Sequence, residues 1–235
     1  MTFRELHAAL TQDLQLTTPP VGIAFRPSAP PGVPRVERPG PAGCAYWRGA
    51  AEGRVFYTEA GDHHNCPIGA HTHGVPLPPA RAAELTQVIE TMVGLQYLKM
   101  EEVPGIPTRP GPFGVAIYGP LEAMPVDPDV VILRGSARQI MLAAEAARAA
   151  GAGHAGATLG RPACAMIPAA LGSGQGNTSL GCIGNRVYTG LGDTELYFTI
   201  PGSALTRVVE RLAAIVHANR ELQRYHEGRR AELSR

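Results

Sequence analysis

The sequence lacks any long apolar run, and none approaches the roughly 20 residues that a membrane-spanning helix requires. It also lacks an excess of either charge: its formal net charge is +1, so no broad field draws it to nucleic acid or to an anionic membrane. Residues 1–16 alternate polar and apolar side chains at helical spacing, unlike the charged start and apolar core of a signal peptide. We therefore expect a cytoplasmic protein with no nucleic-acid or membrane partner.

Cysteine is scarce as well, with four in 235 residues, and no two of them form the close C-x2-C pair typical of structural zinc sites. Disulfides are rare in a reducing compartment, so these cysteines are either buried apolar side chains or metal ligands. Glycine and alanine flank them, which lets the backbone approach a bulky inorganic group. We predict one iron–sulfur cluster of the 4Fe-4S type, with zinc and plain buried thiols as alternatives. Its ligands would be Cys44, Cys66, Cys164 and Cys182.

Short apolar strands alternate with helical patterns along the chain, which predicts an α/β or α+β fold. Residues 103–112 are rich in proline and glycine, which favours a boundary between a first half (1–102) and a second half (103–235). The second half contains an additional strand and helix at about 129–151. A helix is predicted over 80–100, with its buried face marked by Leu85, Val88, Ile89, Met92 and Leu95.

Several sequence features recur in the same order in the two halves, which predicts an internal duplication. A proline and an apolar strand at 20–25 recur at 112–117, and the two cysteine blocks recur at offsets of 120 and 116 residues. The helix containing Leu85 matches the one containing Leu205, again at an offset of 120. We expect two similar halves related by a pseudo-two-fold axis, each giving two cysteines to one shared site.

Sequence blocks around the cysteines resemble one family. The most specific block is Ser179–Arg186, and Asn65–Gly69 and Asp193–Tyr197 fit the same pattern. On these stretches, together with residues 20–25 and Cys44, the chain resembles the DUF169 proteins of bacteria and archaea over nearly its whole length. That family consists of uncharacterised cysteine-containing proteins. The resemblance implies a role linked to metal or redox chemistry, but it brings no established reaction and no catalytic residue.

Polar residues close to two of the cysteines are further candidates for the site. They could bind a metal, donate protons or hydrogen bonds beside a cluster, contact a substrate, or simply form local bonds in a surface loop. These candidates are His63, His64, His71, His73, Asn185 and Arg186. Because polar residues follow or precede Cys66 and Cys182, we expect these two cysteines at the more accessible side of the site. Cys44 and Cys164 should lie at its drier side.

Two functions are consistent with these patterns. The first is an iron–sulfur protein used for electron transfer or for binding or sensing a small ligand, with a redox protein or a small molecule as its partner. The second is a non-catalytic module that binds zinc or a small molecule and has structural cysteines. Four cysteines on one cluster leave no open iron, which favours electron transfer or sensing over catalysis, and whether the protein is an enzyme stays open.

Overall fold

The computed structural model describes residues 1–158 and 162–234 and has a mixed α+β fold, which confirms the predicted class. Its strands are β1 (Val21–Arg26), β2 (Phe56–Glu59), β3 (Val115–Pro120), β4 (Val130–Ser136), β5 (His154–Thr158), β6 (Gly176–Ser179) and β7 (Glu195–Pro201). Its α-helices are α1 (Phe3–Leu14), α2 (Gly43–Ala51), α3 (Pro67–Thr72), α4 (Pro79–Gly94), α5 (Ala137–Ala149), α6 (Met166–Ser173), α7 (Ile183–Thr189) and α8 (Leu205–Leu233). Short 3-10 turns lie at Ala60–His63, Met100–Gly105, Leu121–Ala123, Ala163–Ala165 and Gly202–Ala204.

All seven strands belong to one sheet in the order β2-β3-β1-β4-β7-β6-β5. The six strands from β2 to β6 in this order run antiparallel to their neighbours, and β5 joins β6 in parallel at one edge. The sheet therefore mixes strands from before and after residue 102, because β1 pairs with both β3 and β4. The division into two halves at that residue stays a prediction.

The sheet has a core on each face. Side chains alternate along β4, so that Val130 and Ile132 pack on one face while Val131 and Leu133 pack on the other. Helices α2 and α6 cover the first face, and α1, α5 and α8 cover the second. The run of four apolar residues at the start of β4 is what this two-sided burial requires.

Two strand pairs end with the same register and the same hydrogen bond. Val21 of β1 lies opposite Pro120 of β3, and the next residue, Leu121, donates its N–H to the carbonyl of Pro20 at 2.8 Å. In β4 and β7, Val130 lies opposite Pro201, and Gly202 donates to the carbonyl of Asp129, also at 2.8 Å. The corner after β3 thus repeats in the corner after β7.

The strand and helix that the sequence analysis matched between the halves do not occupy corresponding places. The strand match sets Val21, the first residue of β1, against Phe113, which lies outside β3. Helix α4 precedes β3 and buries none of its residues, whereas α8 follows β7 and buries Leu205, Val208 and Leu212. Those two matches were wrong, because both stretches owe their similarity to the common apolar pattern of strands and helices.

Within the part of the chain that the structure describes, no helix is both long enough and apolar enough to cross a membrane.

Candidate functional site

A cavity of about 340 Å³ lies beside the first core, and all four cysteines line it. Its walls come from the first turns of α2, α3 and α7, from the turn at 163–165, and from α4 with the residues that follow it. The side of α4 that faces the cavity carries Leu85, Val88, Ile89 and Met92. The cavity therefore gathers residues from both halves of the chain.

Helix starts position the cysteines. Cys66 and Cys182 are the N-cap residues of α3 and α7, and each sulfur accepts the backbone N–H of the residue three positions on, at 3.4 Å. Cys44 lies in the first turn of α2, and Cys164 lies in the 3-10 turn before α6. Cys44 and Cys164 are buried and the other two are half-buried, as expected from their neighbours in the sequence.

Burial keeps Cys44, Cys66 and Cys164 protonated. It raises the pKa of Cys44 to about 12 and raises the pKa of Cys66, and it raises the pKa of Cys164 well above its usual value. The hydroxyl of Thr72, 3.1 Å from the sulfur of Cys164, acts in the opposite direction and does not outweigh burial. A protonated thiol is a poor nucleophile and a poor metal ligand, and it behaves as a small apolar group.

The predicted iron–sulfur cluster was wrong. In the residues described, no group of three or more His, Cys, Asp or Glu side chains is arranged to hold a metal ion, which also removes the zinc alternative. Lining one cavity is a weaker condition than ligation, because ligands must converge on a common centre at bonding distance. The electron-transfer function and the redox partner expected with it depended on that cluster.

Of the four candidate histidines, only one lines the cavity. His71 is exposed at the cavity wall, and His64 is half-buried, with Nε2 3.1 Å from the carbonyl of Pro76. His63 and His73 are buried below, with ring centroids 5.9 Å apart. Burial lowers the pKa of His63 to about 3 and also lowers the pKa of His73, so both are neutral. Their proximity in the sequence gave no sign of this division.

Asn185 and Arg186 are neighbours in the sequence but have different surroundings in the structure. Asn185 is buried and lines the cavity. The guanidinium of Arg186 instead donates to the carbonyls of Leu180, at 2.8 Å, and Gly192, at 2.9 Å, and so fixes the chain on either side of α7. Arg186 therefore shapes one wall without belonging to it.

Sequence reasoning missed the wall contributed by α4 and its continuation. The apolar stripe of α4 was visible, but it was interpreted as a face packed into the core. None of its residues is buried, and Leu95, placed on the same face, is 74% exposed. Helical periodicity indicates that a face is shielded from water without showing whether a core or a cavity lies beneath it.

Residues 9–211 match the family DUF169, which is described as "Uncharacterised ArCR". No curated protein and no solved structure matches the chain.

Proposed function

The chain belongs to the DUF169 family, and from the geometry of the cavity we propose that it binds a small, uncharged and mostly apolar molecule. The observation that carries the proposal is a cavity of about 340 Å³ whose described walls are mostly apolar side chains and include buried, protonated thiols. Its volume falls in the range of about 300–1,000 Å³ that is usual for ligand pockets.

The described walls carry no acidic side chain, lysine or arginine, and this favours an uncharged ligand. Of the described residues that line the cavity, none is Asp, Glu, Lys or Arg. Burying an ionised ligand without an opposite charge is expensive, whereas an apolar molecule gains from leaving water. The raised pKa values of Cys44 and Cys164 keep the thiols uncharged at neutral pH, so they do not alter this balance.

Helix α4 supplies the second argument. An amphipathic helix normally buries its apolar stripe, but here Leu85, Val88 and Ile89 are only half-buried and face the cavity. A ligand would complete their burial. We expect α4 to lie over the bound molecule as a cover.

We also propose that the cavity lies between two equivalent halves, with β1, β2 and β3 corresponding to β4, β6 and β7. The shared corner after β3 and β7 supports this, and so does the pairing of β1 with β4, in which Val21 faces Ile132 and Ile23 faces Val130. A two-fold axis between the two strands requires this reciprocal pairing, in which the start of each strand lies opposite the later part of the other.

The cysteines support the same equivalence. Cys66 and Cys182 are both N-caps with the same sulfur hydrogen bond, and Cys44 and Cys164 both lie near helix starts shortly before β2 and β6. A crystal structure tests the idea: superposing the three strands of each half should bring Cys44 onto Cys164 and Cys66 onto Cys182. Displacement of either pair to different sides of the sheet would refute it.

Ligand binding is tested with N-phenyl-1-naphthylamine, an uncharged probe whose fluorescence rises in apolar surroundings. The wild-type protein should bind it saturably. Ile89→Ser should weaken binding about tenfold, because withdrawing an isoleucine from apolar contact costs on the order of 1.5 kcal/mol.

The matched control is Gln87→Ser, on the exposed side of the same helix, which should bind the probe like the wild type. Absence of saturable binding by the wild type, or equal affinities of the wild type and the Ile89 variant, would contradict the proposal.

A further inference from the structure

One polar side chain in the cavity wall lacks a strong hydrogen bond within the described residues. Neither Nδ2 nor Oδ1 of Asn185 makes a hydrogen bond within the described residues, although the residue is only 1% exposed. Thr72, another polar group of the wall, is satisfied, since its hydroxyl contacts the carbonyl of Gly69 and the sulfur of Cys164. A buried amide that lacks both of its bonds is uncommon and calls for a ligand or another explanation.

The local structure fixes the backbone at Asn185. Its backbone N–H donates to the sulfur of Cys182 at 3.4 Å, and its carbonyl accepts from the hydroxyl of Thr189 at 2.7 Å. Thr189 in turn accepts from the hydroxyl of Tyr197 at 3.0 Å. The first turn of α7 is therefore anchored to β7, and the amide cannot reorient by a shift of its backbone.

A glycine packs closely against the amide. Gly181 has φ +77°, a conformation that glycine adopts without strain, and a Cβ there would lie 3.1 Å from Oδ1 of Asn185. The amide also lies beside the thiol of Cys44, which is protonated and offers only a weak bond, and beside the hydroxyl of Tyr197, which already donates to Thr189. Neither the donor nor the acceptor of Asn185 makes a strong hydrogen bond, and a small movement of the side chain would present both to a ligand.

Resting on the proposed function, we propose that the ligand carries one carboxamide-type group, with an N–H and a C=O side by side, that pairs with the side-chain amide of Asn185. Such a group satisfies Nδ2 and Oδ1 together. A carboxylate would satisfy Nδ2 but would oppose Oδ1, and it would enter a cavity whose described walls hold no permanent cation. The remainder of the ligand is apolar and contacts α4.

The test compares three probes of one chain length: octanamide, octanoate and N,N-dimethyloctanamide. Each is measured by its displacement of N-phenyl-1-naphthylamine from the full-length protein. Octanamide should bind about tenfold more tightly than the other two, a difference of about 1.4 kcal/mol. Asn185→Leu, which is similar in size, should remove this preference, so that the three probes displace the fluorescent probe at equal concentrations.

Asn219→Leu, on α8 and outside the cavity wall, serves as the control and should keep the preference. Asn185→Leu should also be at least as thermostable as the wild type, because it removes an unsatisfied buried amide. If it proves less stable, Asn185→Ala repeats the comparison of probes.

Equal affinity of the wild type for the three probes, or a preference that persists in both Asn185 variants, would overturn this inference and leave the proposed function intact. Failure of the wild type to bind the fluorescent probe would contradict both this inference and the proposed function.

Discussion

At the residue scale, the buried histidines make stability depend on pH. His63 is 1% exposed, and its Nε2 lies 2.9 Å from the hydroxyl of Thr58. Burial lowers its pKa to about 3 in the folded protein, whereas a histidine in the unfolded chain titrates near 6.5. Between these values the unfolded state binds more protons, so the free energy of unfolding falls as the pH falls below about 6.5.

We therefore predict that the wild type loses roughly 2 kcal/mol of unfolding free energy between pH 6.5 and pH 5 through His63, since one histidine contributes at most about 1.4 kcal/mol per pH unit. His73, whose pKa burial also lowers, adds to the loss. Urea denaturation at the two pH values measures it. His63→Gln should lose clearly less over this interval, while exposed His217→Gln should behave as the wild type does. Equal losses in all three proteins would show that His63 is not the cause.

The sequence was informative about how deeply the cysteines are buried but misleading about their chemistry. Apolar or polar neighbours predicted the drier position of Cys44 and Cys164 and the wetter position of Cys66 and Cys182. The same small neighbours suit a thiolate around a cluster and a thiol in an apolar wall equally well. Only the placement of the sulfurs relative to one another distinguishes the two, and that depends on loops whose paths the sequence does not reveal.

At the element scale, the corner after β7 tolerates only glycine. A Cβ on Gly202 would lie 1.8 Å from the carbonyl oxygen of Pro128. That backbone is held in place because Asp129 accepts the N–H of Phe25 at 2.7 Å and forms an ion pair with Arg26 at 2.8 Å. The obstruction is backbone and not the end of a flexible side chain, so the corner itself must open to admit a methyl group.

We predict that Gly202→Ala destabilises the protein by about 2–4 kcal/mol, as overpacking against fixed backbone does. Gly228→Ala is the matched control: Gly228 is exposed on α8, and a Cβ there meets no atom within 4 Å. Alanine should stabilise that helix by about 0.5–1 kcal/mol. Guanidinium denaturation measures both variants, and a Gly202 variant as stable as the wild type would show that the corner relaxes easily.

The helices and strands were easier to predict than the parts of the molecule against which they pack. Helix α4 and helix α8 follow from their apolar stripes, and Ser136 begins α5 as an N-cap, as its position before an alanine-rich run indicates. What each stripe covers was not predictable, because α4 faces a cavity and α8 faces a core with similar residues. The similarity between the corners after β3 and β7 escaped notice for a related reason, since it depends on backbone register and not on identical residues.

At the scale of the whole molecule, the two halves of the chain are joined too closely to unfold apart. Strand β1 lies between β3 and β4, so a chain ending at residue 102 leaves both edges of β1 without a partner. On the far face of the sheet, Leu6 and Leu10 of α1 pack in the same core as Leu212 of α8. Each half therefore depends on the other for a covered sheet and for a complete core.

The single tryptophan reports on this dependence. Trp47 of α2 packs edge-on against Tyr197 of β7, with ring centroids 5.6 Å apart, so its fluorescence follows a contact between the two halves. Far-UV circular dichroism follows the helices of both. We predict a single cooperative transition in urea, with the same midpoint by both measurements. The fragment 1–102 should lack a cooperative transition, because its cost in chain entropy is no longer offset by the shared cores. Tryptophan fluorescence that changes at a lower urea concentration than the circular dichroism, or a fragment that unfolds cooperatively, would instead mean that the first half is an independent domain.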